Sequence, residues 1–191
     1  MNEAYWALGR STGLVSLGLL TMAIVLGIFA RSGRTVMGLP RFAIQSIHRA
    51  TSLTAAVFVA IHVGSLMLDP YAQLHLIDAI VPFQASRNTF WVGLGTTAID
   101  LFIALTVTGL LRTRIGPRVF HGIHLSAYAL WPIALLHSIG SGTDAARPWF
   151  LIAALLGAAA VATAIVWRCS PKFSDRSAER RRSLGKGQGR S

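Results

Sequence analysis

Residues 43–68 read AIQSIHRATSLTAAVFVAIHVGSLML. A helix crosses the hydrocarbon of a bilayer with about 20 mostly apolar residues, and this stretch is long enough. Yet it carries His48, Arg49 and His62. Ionisable groups are costly in a membrane, so those that occur generally face a bundle interior and serve a function there. At about 100° per residue, His48 and His62 differ by only about 40° in azimuth and share one face. At about 1.5 Å per residue they lie roughly 21 Å apart in depth.

Four other stretches have comparable length and polarity: about Gly9 to Ala30, Phe90 to Leu111, Val119 to Ile139 and Trp149 to Trp167. Only 13% of the 191 residues are charged and 53% are hydrophobic, whereas a soluble domain carries about 25% charge. The mean hydropathy of +0.55 agrees. The expectation is an all-α integral membrane bundle of five transmembrane helices, one domain over residues 1–168, followed by a basic tail, 169–191. The first apolar run is too long for a signal peptide and lacks a small-residue cleavage site, so it is expected to be retained as a span. Between spans two and three, Leu74 to Phe83 is apolar enough to lie in the interface as a short helix. No internal repeat is visible.

The net charge of +11 raises the possibility of nucleic-acid binding. Its distribution argues against that partner, because the cations flank apolar runs instead of gathering on one soluble face. Arg31, Arg34 and Arg41 lie between spans one and two, and Arg112, Arg114 and Arg118 between three and four. Arg168, Lys172, Arg176 and Arg180 to Arg182 follow span five. In the alternate loops Arg87 and Arg147 are offset by Asp69, Asp78 and Asp144. By the positive-inside rule the N-terminus is expected outside and the C-terminus in the cytoplasm, in the plasma membrane. The Ser-, Gly- and Arg-rich tail is expected to be disordered and held by anionic membrane lipid. Cys169 is the only cysteine. It forms no intrachain disulfide, and without Cys-x-x-Cys-His there is no covalent haem attachment.

The fourth span carries a second pair, His124 and His137, with twelve residues between them where His48 and His62 have thirteen. Spans two and four run in the same direction. His48 is therefore expected level with His124, and His62 level with His137. In a straight helix His124 and His137 would differ by about 140° in azimuth. Pro132 lies between them, and proline kinks helices. Two depth-matched imidazole pairs are expected to be the ligand set of two non-covalent b-type haems stacked along the membrane normal, with His48 and His124 on one iron and His62 and His137 on the other. Zinc suits this pattern poorly, since its ligands must converge in one coordination sphere. The competing reading is a non-redox membrane subunit or transporter whose histidines serve packing or proton handling, interhelical bonds worth about 0.6–2 kcal/mol each.

At these residues the chain resembles the ferric reductase-like transmembrane domain. The resemblance rests on His48-x13-His62 and His124-x12-His137, with the His48-Arg49 dipeptide, Leu68-Asp69-Pro70 and the segment around Asp100, and it extends over about residues 5 to 168. The family includes ferric reductases, NADPH oxidases and the haem-binding subunit of periplasmic methionine sulfoxide reductase. The resemblance implies that His48 and His124 ligate an inner haem, His62 and His137 an outer one, and that electrons run outward. NADPH oxidases and eukaryotic ferric reductases continue into flavin and nicotinamide domains, whereas only a short basic tail follows Trp167 here, so the expectation is an oxidoreductase component without its own flavin or nicotinamide domain. Its donor would be a separate flavoprotein reductase or membrane quinol, and its acceptor a molecule or redox partner protein on the outer side.

Other residues carry narrower expectations. Arg49 is a candidate partner for the inner haem's propionates, with lipid-directed snorkelling as its alternative, and Arg10 a candidate for the outer haem. His121 competes with His124, and His75 is expected to face solvent. Asp100, mid-span, is expected to be a neutral carboxyl bonded to Thr or Ser, or to orient a ligand imidazole. Trp131 is expected to fill the core or bridge the haem edges. Gly93, Gly95 and Gly109 are expected to serve close helix packing alone.

Overall fold

A computed structural model describes residues 2–32, 38–171 and 173. Arg34 and the residues of the basic tail beyond Ser170, other than Pro171 and Phe173, lie outside that set. Seven helices are described: α1 (Asn2–Ser32), α2 (Arg41–Leu68), α3 (Leu76–Ile80), α4 (Thr89–Leu110), α5 (Pro117–Leu125), α6 (Ala127–Ser141) and α7 (Pro148–Cys169). By length and apolarity they give five membrane-spanning segments, with α5 and α6 together forming the fourth. At about 1.5 Å per residue, the 22 residues of α4 span roughly the 30 Å thickness of the hydrocarbon. The protein is an all-helical, multi-pass membrane bundle.

Two elements differ from the sequence expectation. First, α1 begins at Asn2, a full two turns before the first apolar run. Second, the fourth span is interrupted at Ser126, not at Pro132, which sits inside α6. There Ser126 donates its N–H to the Ile123 carbonyl (3.0 Å), and Ala129 donates to the Ser126 carbonyl (2.9 Å). The Ser126 hydroxyl bonds the Ile123 carbonyl as well (2.7 Å), a back-bond that bends helices. Such three-residue turns advance about 120° per step instead of 100°. The phase of His137 thereby moves toward that of His124. Between α2 and α4, α3 occupies the centre of the expected interfacial segment. It packs against α4 through the Thr96 hydroxyl, which donates to the Asp78 carbonyl (2.6 Å).

The outward surface is apolar, as lipid requires: Leu155 is 69% and Val166 70% exposed on α7. The interior layer sits at mid-depth. Ala55 is fully buried, seven residues from His48 and seven from His62. Trp131 lies seven residues after His124 and six before His137, and it joins Ala55, Phe102 and Leu130 in the same cluster. Its indole N–H donates to the Thr21 hydroxyl of α1 (2.8 Å). This packed middle separates the bundle into two levels, here termed upper (toward the chain's N-terminus) and lower.

Candidate functional site

The helices bring the four span histidines to the two levels in the expected pairs. At the upper level the rings of His62 (α2) and His137 (α6) face each other with centroids 6.4 Å apart and planes at 80°. A metal held from opposite sides at about 2.0 Å by one nitrogen of each ring would require centroids about 6 Å apart. At the lower level His48 (α2) and His124 (α5) lie within electrostatic reach of each other. Among the described residues no three His, Cys, Asp or Glu side chains converge as a metal-binding group. Each level offers two imidazoles and no third protein ligand.

Three of the four imidazoles are held in the same way. His62 Nδ1 donates to the Gly9 carbonyl (2.7 Å), His48 Nδ1 to the Ala23 carbonyl (2.9 Å) and His137 Nδ1 to the Trp91 carbonyl (2.8 Å). A carbonyl can only accept, so the proton is on Nδ1 and the Nε2 lone pair is free. Metal-bound histidines are oriented by this kind of bond, which also raises their basicity.

Each accepting carbonyl lies four residues before a glycine: Gly9 before Gly13, Ala23 before Gly27, Trp91 before Gly95. Within a helix that carbonyl already takes the N–H of the residue four ahead, so the imidazole must reach its second lone pair past that residue. A Cβ on Gly13 would come within 2.9 Å of His62, on Gly27 within 3.3 Å of His48, and on Gly95 within 2.6 Å of His137. The missing side chain is what admits the ring. Gly95 therefore does more than bring helices together, contrary to the sequence expectation. Gly13 and Gly27, not singled out from the sequence, do the same for α2.

The device is used twice. Gly13 and Gly27 are fourteen residues apart, as are Gly95 and Gly109, and so are His48 and His62. The hairpin of α1 and α2 and that of α4 with α5 and α6 are thus built alike, an internal correspondence that the sequence carries only in these spacings. Only His124 and His137 depart from it, at thirteen. The shortfall of one residue shifts the ring by about 1.5 Å along the axis. His124 lies 4.0 Å from the position a Gly109 Cβ would take, and its Nδ1 is buried without a hydrogen-bond partner among the described residues. The ring instead stacks on Phe120, centroids 4.5 Å apart.

His121, the competitor, is exposed and its Nδ1 accepts from Arg31 (2.9 Å). That bond puts any neutral-ring proton on Nε2, the opposite tautomer from the three anchored histidines. His75 is exposed at the start of α3, where its backbone N–H donates to the Asp78 carboxylate (2.9 Å). Arg49 is exposed beside His48. Arg10 pairs with Asp144 through two nitrogens and lies over the Trp6 ring (4.9 Å). Asp100 is exposed and makes no hydrogen bond or ion pair with the described residues. The hydroxyls nearest it in sequence are committed elsewhere, Thr96 to Asp78 and Thr97 to the Gly93 carbonyl (2.8 Å).

A cavity of about 380 Å³ opens around the upper pair. Its walls come from α1, α2, α4 and α6, with Phe102 and Leu130 of the middle layer among its lining residues and Arg10, Arg87 and Asp144 among its polar ones. A mostly apolar pocket with a few convergent polar groups is the usual form of a cofactor site.

No curated protein and no solved structure matches this chain. A family model does, that of the ferric reductase like transmembrane component, over residues 12–135. The matched segment holds His48, His62 and His124, together with Gly13, Gly27, Gly95 and Gly109, and ends two residues before His137. Because the match covers well over half of the sequence, the chain belongs to the ferric reductase-like transmembrane component family.

Proposed function

We propose that this protein carries electrons across the plasma membrane through two b-type haems, the lower held by His48 and His124 and the upper by His62 and His137. Family membership points to transmembrane electron transfer in general. The observation that carries the finer reading is the anchoring of His48, His62 and His137 by backbone carbonyls, which leaves three Nε2 lone pairs free at two levels. The ring separation of His62 and His137 and the adjoining cavity fit a planar group gripped from both sides.

When bound, each haem supplies a one-electron iron couple whose potential depends on axial ligands, hydrogen bonds and burial. The protein's part is to orient the imidazoles, exclude water by the mid-depth layer around Ala55 and Trp131, and set the charge at each end. Arg49, exposed beside His48, is the cation available to the lower haem's propionates. At the upper level Arg10 is committed to Asp144, which leaves Arg87 as the further cation lining that cavity. The described cations Arg31, Arg41, Arg112, Arg114, Arg118 and Arg168 flank the lower ends of the spans, so the lower level faces the cytoplasm. Electrons then enter from a flavoprotein or quinol on that side and leave to an acceptor outside.

Liposomes containing the purified chain, with dithionite trapped inside and ferricyanide added outside, test this. The expected result is steady loss of ferricyanide absorbance that stops when His62→Ala replaces the wild type. Wild-type vesicles no faster than protein-free vesicles, or no faster than those with His62→Ala, would contradict the reading.

A further inference from the structure

Of the four paired histidines, His124 alone has no hydrogen bond to another helix among the described residues. The ring it stacks on, Phe120 at 4.5 Å, belongs to the same helix, α5. That contact travels with the imidazole and does not tie it to the bundle.

The helix is itself loosely set. None of the nine residues of α5 is buried, whereas α6, the other half of the same span, buries Leu130 and Trp131. A turn at 111–115 precedes it, and the three-residue turn at Ser126 follows two residues after His124. The bond from Arg31 of α1 to His121 reaches α5, but it is exposed. Segments with few buried contacts and exposed hydrogen bonds are the ones that open at least cost. The segment carrying His124 can therefore shift while α6 and His137 stay in place.

Resting on the two-haem reading above, we propose that His124 is an exchangeable ligand, and that a neutral diatomic molecule takes its place on the lower iron. Partners that orient a ligand histidine strengthen metal binding by about 10–100-fold. His48 has such a partner in the Ala23 carbonyl, and His124 has none. His48 keeps the haem when His124 lets go. At the upper level both rings are anchored, so exchange is confined to the lower one. Phe120 and Gly109, which border the ring, are apolar, so the incoming molecule is small and uncharged. With carbon monoxide, the bond from ferrous iron to the His124 imidazole breaks and a bond from iron to carbon forms. The imidazole leaves neutral, the iron stays ferrous and no electron is transferred.

Carbon monoxide added to the dithionite-reduced, full-length protein reads the outcome by difference spectroscopy, against haem counted separately. About half of the haem is expected to bind it. The variant with both His62→Ala and His137→Ala is expected to keep the haem that reacts. Phe120→Leu, which leaves every histidine in place, is expected to tighten carbon monoxide binding about tenfold, toward the limit set by a wholly unsupported ligand. Protein with two haems and no carbon monoxide spectrum would overturn this proposal alone, whereas protein without haem would overturn the two-haem reading with it. Binding to both haems alike, loss of the reactive haem in the double variant, or unchanged affinity in Phe120→Leu would also overturn the assignment to His124.

Discussion

At the upper level both imidazoles are anchored, His62 to the Gly9 carbonyl and His137 to the Trp91 carbonyl. At the lower level, among the described residues, only His48 is, on Ala23, and the Nδ1 of His124 is buried without a partner there. The two levels share one construction, a histidine seated past a glycine, and differ by a single residue of spacing between His124 and His137. An anchored imidazole has its ring orientation and proton position fixed before any metal arrives. His124 has neither fixed by a hydrogen bond, and relies on stacking against Phe120.

The largest test of this difference removes a ligand. His62→Ala or His137→Ala is expected to halve the haem content of the purified protein and leave the lower haem's spectrum in place. Unchanged haem content in the double variant would show that the upper assignment is wrong. Next comes the glycine series. Gly95→Ala places a methyl within 2.6 Å of His137 and Gly109→Ala only within 4.0 Å of His124, with Gly13 (2.9 Å) and Gly27 (3.3 Å) between them. Loss of orientation around a metal ligand typically weakens binding by roughly 10–100-fold. Haem affinity should thus fall most for Gly95→Ala, then Gly13→Ala, then Gly27→Ala, and remain near wild type for Gly109→Ala. Equal losses across the series would break the account of the notches.

A smaller effect is expected in the reduction potentials. Hydrogen bonds from Nδ1 to a carbonyl make an imidazole a stronger donor, which favours the oxidised iron. The upper haem, with two anchored ligands, is expected to have the lower midpoint in a spectroscopic redox titration. The order should reverse or close up in variants that loosen His137. The smallest effect concerns the Arg10–Asp144 pair near the upper cavity, whose carboxylate is nearly buried while the guanidinium is about a third exposed. Arg10→Gln should destabilise the protein by about 1–3 kcal/mol, since it leaves a buried carboxylate unpaired. The double replacement Arg10→Gln with Asp144→Asn should cost less, measured as the shift in thermal unfolding midpoint.

Much of this architecture was legible from residues alone. Apolar length marks the five spans directly, because a bilayer core imposes one thickness on all of them, and the histidines stand out because lipid tolerates few ionisable groups. The glycine notches were hidden for a physical reason. A glycine that admits a ring and one that lets two backbones approach look the same along the chain. The available signal was the fourteen-residue spacing of Gly13 with Gly27 and of Gly95 with Gly109, equal to that of His48 with His62. The break at Ser126 was obscured by Pro132, the residue with the better-known effect on helices. Asp100 read as an interior group because a mid-span carboxyl normally is one, and only the packing of α4 shows which way its face is turned.

The central claim is that paired imidazoles at two depths each hold a haem. A pyridine haemochrome assay on purified full-length protein, expressed with haem precursor in excess, measures this directly. The account predicts two non-covalent b-type haems per chain. Colourless, monodisperse protein with no Soret absorbance would contradict it.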